Sequence, residues 1–499
     1  MKEYLTLCLT SMSQDGRAVG RIERQQPYQG MAVFVENALA GQTVKAEILS
    51  KKKNFIIART VEVLEQSPFA AKGICMHRQE CGGCSWQNLK YERQVFEKEN
   101  LIKNVLRRVG KIENFETCFH PLITPSAVQA DTLFYRNKME FAFSLQNKRL
   151  KLGLRKKNSH DIVEVTECRL QNPHAMKILA LLRTVLKSFQ HEFYRYAVLR
   201  YFQDKWTVEL ITYPFSKSNG HNEKQSVLAC YEVLKHTVSG MVHSVRTSKT
   251  DVAYGENIVC EYGDPLLFEK LAMPKHTANF KLGNSAFFQV NTAMAGIVTK
   301  TSMASAMAEQ LYRVIYNFAA LVLPKNSAHI WDCYCGVGAI ALSLAPLAVE
   351  NKKEFTLDYM NGISVASPEK SYKKPFVLGV EAVQKAILLA KENALLNQCA
   401  FAKFECSAGK ELHKFFTRFS LPNLIILDPP RAGVEDEALN AILEYCPQFL
   451  ILVSCNPATL ARDLAKLAET YSVKAIQGVD LFPHTPHVET VVLLEKIYK

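Results

Sequence analysis

The chain has 499 residues, 48% of them hydrophobic, and its 61 Lys and Arg outnumber 48 Asp and Glu for a formal charge of +13. That length suits about three domains of ~150 residues, and the apolar share is enough to fill real cores, which excludes disorder at large. Apolar runs stop short of the ~18 residues a membrane span needs, and no secretory leader pattern opens the chain. The expectation is therefore a cytoplasmic protein whose positive balance favours a polyanionic partner, nucleic acid before anionic membrane. In that compartment the 14 cysteines point to metal binding, catalysis or inert burial rather than disulfides.

Residues 1–66 read as a small all-β unit. Met31–Val35, Val44–Leu49 and Ile56–Leu64 are short β-rich runs between turn-forming stretches, with no helix among them. Gly16, Arg17, Gly20, Arg21 and Lys51–Lys53, followed by Phe55, set cations beside an aromatic in a manner that suits RNA, or else form a solvated basic loop. Ser67-Pro68 marks a boundary. Next come Cys75, Cys81 and Cys84, three thiols within ten residues and with glycines between the last two. A fourth sulfur, Cys168, would complete the tetrahedral set that zinc or a [4Fe-4S] cluster takes.

Lys90–Val109 is predicted as a helix with Ile102, Val105, Leu106 and Val109 on one face and Gly110 as its stop. From about 115 to 275 strands and helices mix: Lys138–Leu145, Val198–Phe202 and Trp206–Thr212 look extended, Ala175–Phe189 helical. A basic stretch of Lys148, Arg149, Lys151, Arg155, Lys156 and Lys157 is either a solvated hairpin or a phosphate-contacting surface. From about 276 apolar strands (His329–Asp332, Phe376–Glu381, Leu424–Asp428, Phe449–Ser454 and Thr490–Leu494) alternate with helices such as Ala382–Leu396 and Ala458–Thr470. That is the pattern of a doubly wound α/β sheet, which binds ligands at the carboxyl ends of its strands. The segment Asn351–Pro375 exceeds ordinary connections and reads as a surface excursion.

Four strand ends carry the chemistry. The loop Asp332-Cys-Tyr-Cys-Gly-Val-Gly follows a strand and opens a helix, where Gly336 and Gly338 let backbone approach a ligand. Glu381 ends the next strand, where a carboxylate suits ribose hydroxyls. A third glycine for a pyrophosphate is missing, so an adenosine without pyrophosphate, S-adenosylmethionine rather than NAD, fits better. Asp428-Pro429-Pro430-Arg431 forms a rigid exit that holds Asp428 over the crevice. Cys455 ends a further strand, beside helix N-terminal amides that stabilise a thiolate. Glu489 enters the last strand behind a loop with His484 and His487. Arg462 and Asp463 read as helix surface.

In order and spacing these motifs, with Phe287-Phe288-Gln289-Val290-Asn291 and Phe482-Pro-His-Thr-Pro-His-Val-Glu-Thr, resemble the RNA uracil-5-methyltransferase family over nearly the whole chain. The four-cysteine pattern looks like the [4Fe-4S] site of its ribosomal-RNA branch, and residues 1–66 resemble the TRAM domain that precedes it. The resemblance implies an OB-like TRAM barrel (1–66), an α+β central domain with the cluster and RNA contacts (67–275, helix 90–109 packing on the catalytic domain), and a Rossmann-like methyltransferase domain (276–499). It implies Cys455 as the nucleophile on uracil C6 and Glu489 as the base that removes the C5 proton. Gln289, Tyr334, Gly336, Gly338, Glu381 and Asp428 are implied contacts of S-adenosylmethionine, and Cys75, Cys81, Cys84 and Cys168 the cluster ligands. Ala339 stands where some members have a polar side chain.

The implied substrate is structured RNA, 23S ribosomal RNA ahead of transfer RNA, methylated by a monomer with no obligate protein partner. A non-catalytic RNA-binding or folding factor is the alternative class. A radical S-adenosylmethionine enzyme is disfavoured, because the spacing of Cys75, Cys81 and Cys84 is not that of such enzymes.

Overall fold

Alternation of apolar and polar residues along Tyr4–Met12, with every second side chain buried, makes a strand that one sheet face can bury. With Ala18–Arg21, Ala32–Glu36, Phe55–Glu65 and Thr43–Lys51, in that spatial order, it closes a five-stranded barrel. Such a barrel is consistent with an OB-like unit. The computed structural model describes residues 2–22, 28–126, 131–147, 149–157, 159–189, 192–283, 287–292, 306–324, 326–349, 363–366 and 372–498. Lys148 and most of the Asn351–Pro375 segment lie outside the described residues. Of the described part, Ile363 and Val365 pack against the core and the Ala366 amide donates to Glu495 Oε1 at 2.7 Å, while Ser364, Ala366, Lys373 and Lys374 are exposed. Among the described residues no helix is long and apolar enough to cross a membrane.

The barrel core is completed from outside, by Trp86 and Leu89 of the segment that carries the clustered cysteines. Central residues build a seven-stranded sheet in the order Asn257–Gly263, Gly240–Val245, Lys205–Thr212, Tyr194–Phe202, Lys138–Gln146, Arg149–Arg155, Ile162–Val163. Helices His174–Ser188 and Gly220–Leu234 cover one face of it. The basic stretch is thus a hairpin strand, and its far end meets the cysteine loop: the Gly82 amide donates to Arg155 O at 3.1 Å and the Lys157 amide to Glu80 O at 2.8 Å. Leu267–Ala272 and Thr277–Leu282 pair as a hairpin whose apolar side chains join the C-terminal core, so this element runs across residue 276.

That C-terminal core surrounds an eight-stranded sheet ordered Ala402–Cys406, Phe376–Glu381, His329–Cys333, Leu424–Leu427, Phe449–Ser454, Glu489–Lys496, Tyr471–Val479, Phe119–Ile123. The first five strands are parallel, and Glu489–Lys496 runs antiparallel to both its neighbours. Near-continuous burial of Leu424–Leu427 and Phe449–Ser454 is what a sheet covered on both faces requires. The edge strand Phe119–Ile123 comes from far upstream; Pro121 lacks a ladder donor, which suits an edge.

Tyr91–Arg108 forms the expected helix, and its buried face runs through the expected Ile102 and Leu106 but carries polar residues as well. Ile102 and Leu106 are buried, Val109 is exposed, and Tyr91, Gln94, Glu97 and Lys98 are buried with them. Their partners explain the correction. Lys98 Nζ donates to Asp480 Oδ1 at 2.6 Å and Phe482 O at 3.0 Å, Tyr91 Oη donates to Asp480 Oδ2 at 2.8 Å, and Gln94 Oε1 accepts from the His484 amide at 2.8 Å. Glu97 Oε2 accepts from the barrel's Met12 amide at 2.9 Å. The helix therefore clamps both the barrel and the loop that leads to Glu489. Because Lys98 and Asp480 are fully buried, Lys98→Met should leave an uncompensated charge and cost ~3–5 kcal/mol of unfolding free energy, readable by denaturant titration.

Candidate active site

Sheet register decides which side chains meet. Ser454 pairs with Thr490 in the antiparallel ladder of Phe449–Ser454 and Glu489–Lys496, so continuing by one residue sets Cys455 opposite Glu489. Residues directly opposite in such a ladder present their side chains on the same face, with Cβ atoms ~4.5–5.5 Å apart. In the parallel part, Cys333 lies level with Val380 and Leu427, which brings Tyr334, Glu381 and Asp428 together just past the strand ends. Gln289, Tyr334, Gly336, Glu381, Asp428, Cys455 and Glu489 all line one cavity of about 1050 Å³.

The loop after Cys333 holds its shape through backbone that side chains rarely adopt. Tyr334, Gly336 and Gly338 have φ of 68°, 54° and 83°. A Cβ on Gly338 would press on the Phe404 ring at 3.0 Å, whereas Gly336 has open space for a ligand. Asp332, fully buried, accepts from the Ala341 amide at 2.8 Å and so ties the loop to the helix it opens. Glu381 accepts from the Gly336 amide at 3.2 Å and the Val383 amide at 2.9 Å, so its carboxylate is already oriented. Tyr334 Oη donates to Glu435, which also lines the cavity. Gln289 is buried, with its backbone carbonyl accepting from Asn137 Nδ2 at 3.4 Å. Ala339 is buried at the start of the helix.

Two acids and a thiol crowd the far end. Burial pushes Asp428 up to about 7. Burial and then the nearby Asp428 push Glu489 up to about 8, with Arg431 opposing. The Cys455 thiol is pushed up to about 11 by burial, Glu489 and Asp428, again against Arg431. This corrects the expectation that helix amides stabilise the thiolate: low dielectric and two neighbouring carboxylates outweigh Arg431 and the helix N-terminus. One consequence is measurable. Were Glu489 the base that takes a proton after methyl transfer, it would work only when ionised, so the release of methylated RNA, read as kcat, should rise with pH through about 8 instead of peaking below 7. In Glu489→Gln, losing the neighbouring charge should move the pH dependence of Cys455 alkylation to lower pH.

Residues that the sequence named only within motifs, without a role, complete the wall. Arg431 Nη2 lies 3.4 Å from His487 Nε2, and Phe287 stands 64% exposed on the cavity. Burial, and after it Arg431, holds His487 down at about 4, which keeps the ring neutral. Asp463 is not helix surface, whereas Arg462 stays part-exposed while reaching over to the neighbouring loop. Asp463 is 2% exposed and accepts from the Val434 amide at 2.9 Å, while Arg462 donates to Ala432 O at 3.0 Å and to Asp463 at 2.6 Å. The pair fixes the Pro-Pro-Arg-Ala-Gly loop that carries Arg431; Gly433, at φ 86°, has no room for a Cβ beside them.

Cys75, Cys81, Cys84 and Cys168 share a wall of the same cavity. Burial chiefly raises the thiols of Cys81, Cys84 and Cys168, and the charge of the neighbouring cysteines adds to it. Among the described residues no three potential ligands are drawn together closely enough to hold a metal ion.

A family model described as tRNA (uracil-5-)-methyltransferase matches residues 103–497. An uncharacterized RNA methyltransferase of Nitratidesulfovibrio vulgaris is 31% identical, the match covering 98% of this chain and 95% of the relative. Another, of Caldanaerobacter subterraneus subsp. tengcongensis, is 32% identical over 99% of both. Among solved structures, a Pyrococcus abyssi tRNA (uracil-54, C5)-methyltransferase in complex with S-adenosyl-L-homocysteine superposes with a TM-score of 0.66 at 22% identity, covering 98% of this chain and 100% of that one. That likeness establishes the methyltransferase fold.

Proposed function

The chain belongs to the tRNA (uracil-5-)-methyltransferase family of S-adenosylmethionine-dependent RNA methyltransferases, and from that premise we propose that it methylates C5 of a uridine in structured RNA through a covalent adduct with Cys455. The observation that carries the reading is the ladder register that sets Cys455 opposite Glu489 on one cavity wall.

Uracil C5 is too weak a nucleophile to take a methyl group unaided. The Cys455 thiolate adds to C6, the 5,6 π electrons move onto O4 as an enolate, and C5 then displaces the methyl from the sulfonium, releasing neutral S-adenosylhomocysteine. Glu489 removes the remaining C5 proton, and the enolate electrons restore the double bond as the C6–S bond breaks. A sulfonium beside Cys455 favours the thiolate that the unliganded pocket disfavours. Glu381 would take the ribose hydroxyls, Gly336 and Gly338 leave backbone room for the donor, and Gln289, Tyr334 and Asp428 line its reacting end. The base must leave its stack to reach this depth.

The quartet Cys75, Cys81, Cys84 and Cys168 would hold a [4Fe-4S] cluster, and the barrel would serve as a TRAM unit. Methyl transfer requires no electron, so a cluster here would fix the cysteine loop against the Arg149–Arg155 strand. Protein purified without oxygen should be brown with about four irons per chain, and Cys84→Ser should lose both colour and iron; a colourless protein with one zinc would replace this assignment. The cysteine quartet together with the barrel favours large-subunit ribosomal RNA as substrate. Mapping 5-methyluridine in cells with and without the gene should show one position lost from 23S ribosomal RNA. Loss from transfer RNA instead would move the substrate, and no loss from either would overturn the function.

A further inference from the structure

The loop between the barrel's first two strands reaches across to the nucleophile. Gln14 Nε2 donates to Asn456 Oδ1 at 2.8 Å, although 442 residues separate them. Asn456 follows Cys455 directly, and its side chain is fully engaged. Oδ1 also accepts from the Ala458 amide at 3.1 Å, capping helix Pro457–Leu467, and Nδ2 donates to Arg431 O at 3.0 Å. One amide therefore fixes the helix start behind Cys455 and the loop carrying Arg431, and the barrel supplies its remaining partner. The contact is no loose brush of a surface loop. Next to it, Asp15 lines the catalytic cavity. Gly16, at φ 84°, lies so close to Ser85 of the cysteine loop that a Cβ would stand 2.7 Å from its hydroxyl. Ser13 Oγ accepts from the Arg17 amide at 3.1 Å, closing the turn that aims Gln14.

We propose that Gln14 is a positioning residue for the methyl transfer: through Asn456 the barrel sets the orientation of the Cys455 loop and of Arg431. The barrel then acts as part of the active-site wall as well as a surface for RNA. Removing its hydrogen bond leaves Asn456 held by two partners instead of three, so the nucleophile loop is held less firmly and samples unproductive positions while RNA contacts stay intact. This rests on the adduct mechanism proposed above.

The test is the rate at which the full-length enzyme, with S-adenosylmethionine, becomes covalently attached to a 5-fluorouridine-substituted RNA substrate, with kcat and KM measured on the unsubstituted RNA. Gln14→Leu should slow adduct formation and kcat ~5–10-fold, the worth of one hydrogen bond, with KM for RNA changed less than about twofold. In an Asn456→Ser background, where serine still caps the helix but cannot bridge to Arg431 and Gln14, adding Gln14→Leu should cost nothing more, because both act through one side chain. An undiminished rate, a change confined to KM, or additive losses in the double variant would overturn the proposal. Failure of the wild type to form any adduct would strike the mechanism itself, which separates the two claims.

Discussion

Cys455→Ala is expected to reduce methyl transfer to below about one part in 10⁴ of wild type, since without addition at C6 the uracil ring has no enolate to attack the donor. The loss should be confined to chemistry. Cys455 is half-buried beyond the end of its strand, and nothing in the fold hangs on its sulfur, so the melting temperature and binding of S-adenosylhomocysteine should stay near wild type. Alanine at Cys333 makes the informative contrast. That thiol is fully enclosed between strands, so its replacement should lower stability while leaving the turnover of folded enzyme intact. Radiolabelled methyl incorporation, with calorimetry on the same samples, separates the two effects.

Glu489→Gln should fail at a later step. Glutamine keeps the shape of a buried side chain but cannot take the C5 proton, so addition and methyl transfer proceed and elimination does not. The rate of product release should fall ~10²–10⁴-fold, the range for a missing general base. Meanwhile a protein–RNA complex that survives denaturation should accumulate to roughly one per enzyme. The variant should also fold at least as well as wild type. Burial holds the glutamate's pKa at about 8 in the native protein, well above its unfolded value. Such a group contributes stability fully at low pH and loses it as pH rises through 8, a loss that the uncharged glutamine avoids.

The catalytic sheet was legible from sequence because its strands are apolar throughout and end in polar clusters; Phe376–Glu381 and Phe449–Ser454 form over the expected spans. The candidate catalytic and donor-site residues could be named because all but Gln289 and Glu489 fall at or just past carboxyl ends of strands, and Glu489 opens its strand at the same edge. What stayed hidden depends on partners far along the chain. The polar part of the buried face of Tyr91–Arg108 could not be read from hydrophobic periodicity, because Lys98 is neutralised by Asp480, 382 residues away. Phe119–Ile123 was missed since a proline at its centre argues against a strand until it is known to be an edge. Arg462 and Asp463 looked like exposed helix charges, and only the return of the Pro-Pro-Arg loop onto them gives them a role. The raised pKa values of Asp428, Cys455 and Glu489 follow from three strand ends converging, which no local pattern displays.

The central claim is a C6 adduct on Cys455, and 5-fluorouridine tests it most directly. A fluorine at C5 cannot be removed as a proton, so after methylation the enzyme has no way to expel the thiolate and the adduct persists. Wild-type enzyme incubated with S-adenosylmethionine and such an RNA, then digested and analysed by mass spectrometry, should yield one cross-linked peptide, Cys455 bearing a methylated fluorouridine. A cross-link at any other residue, or no cross-link from enzyme that still methylates the unsubstituted RNA, would contradict the account.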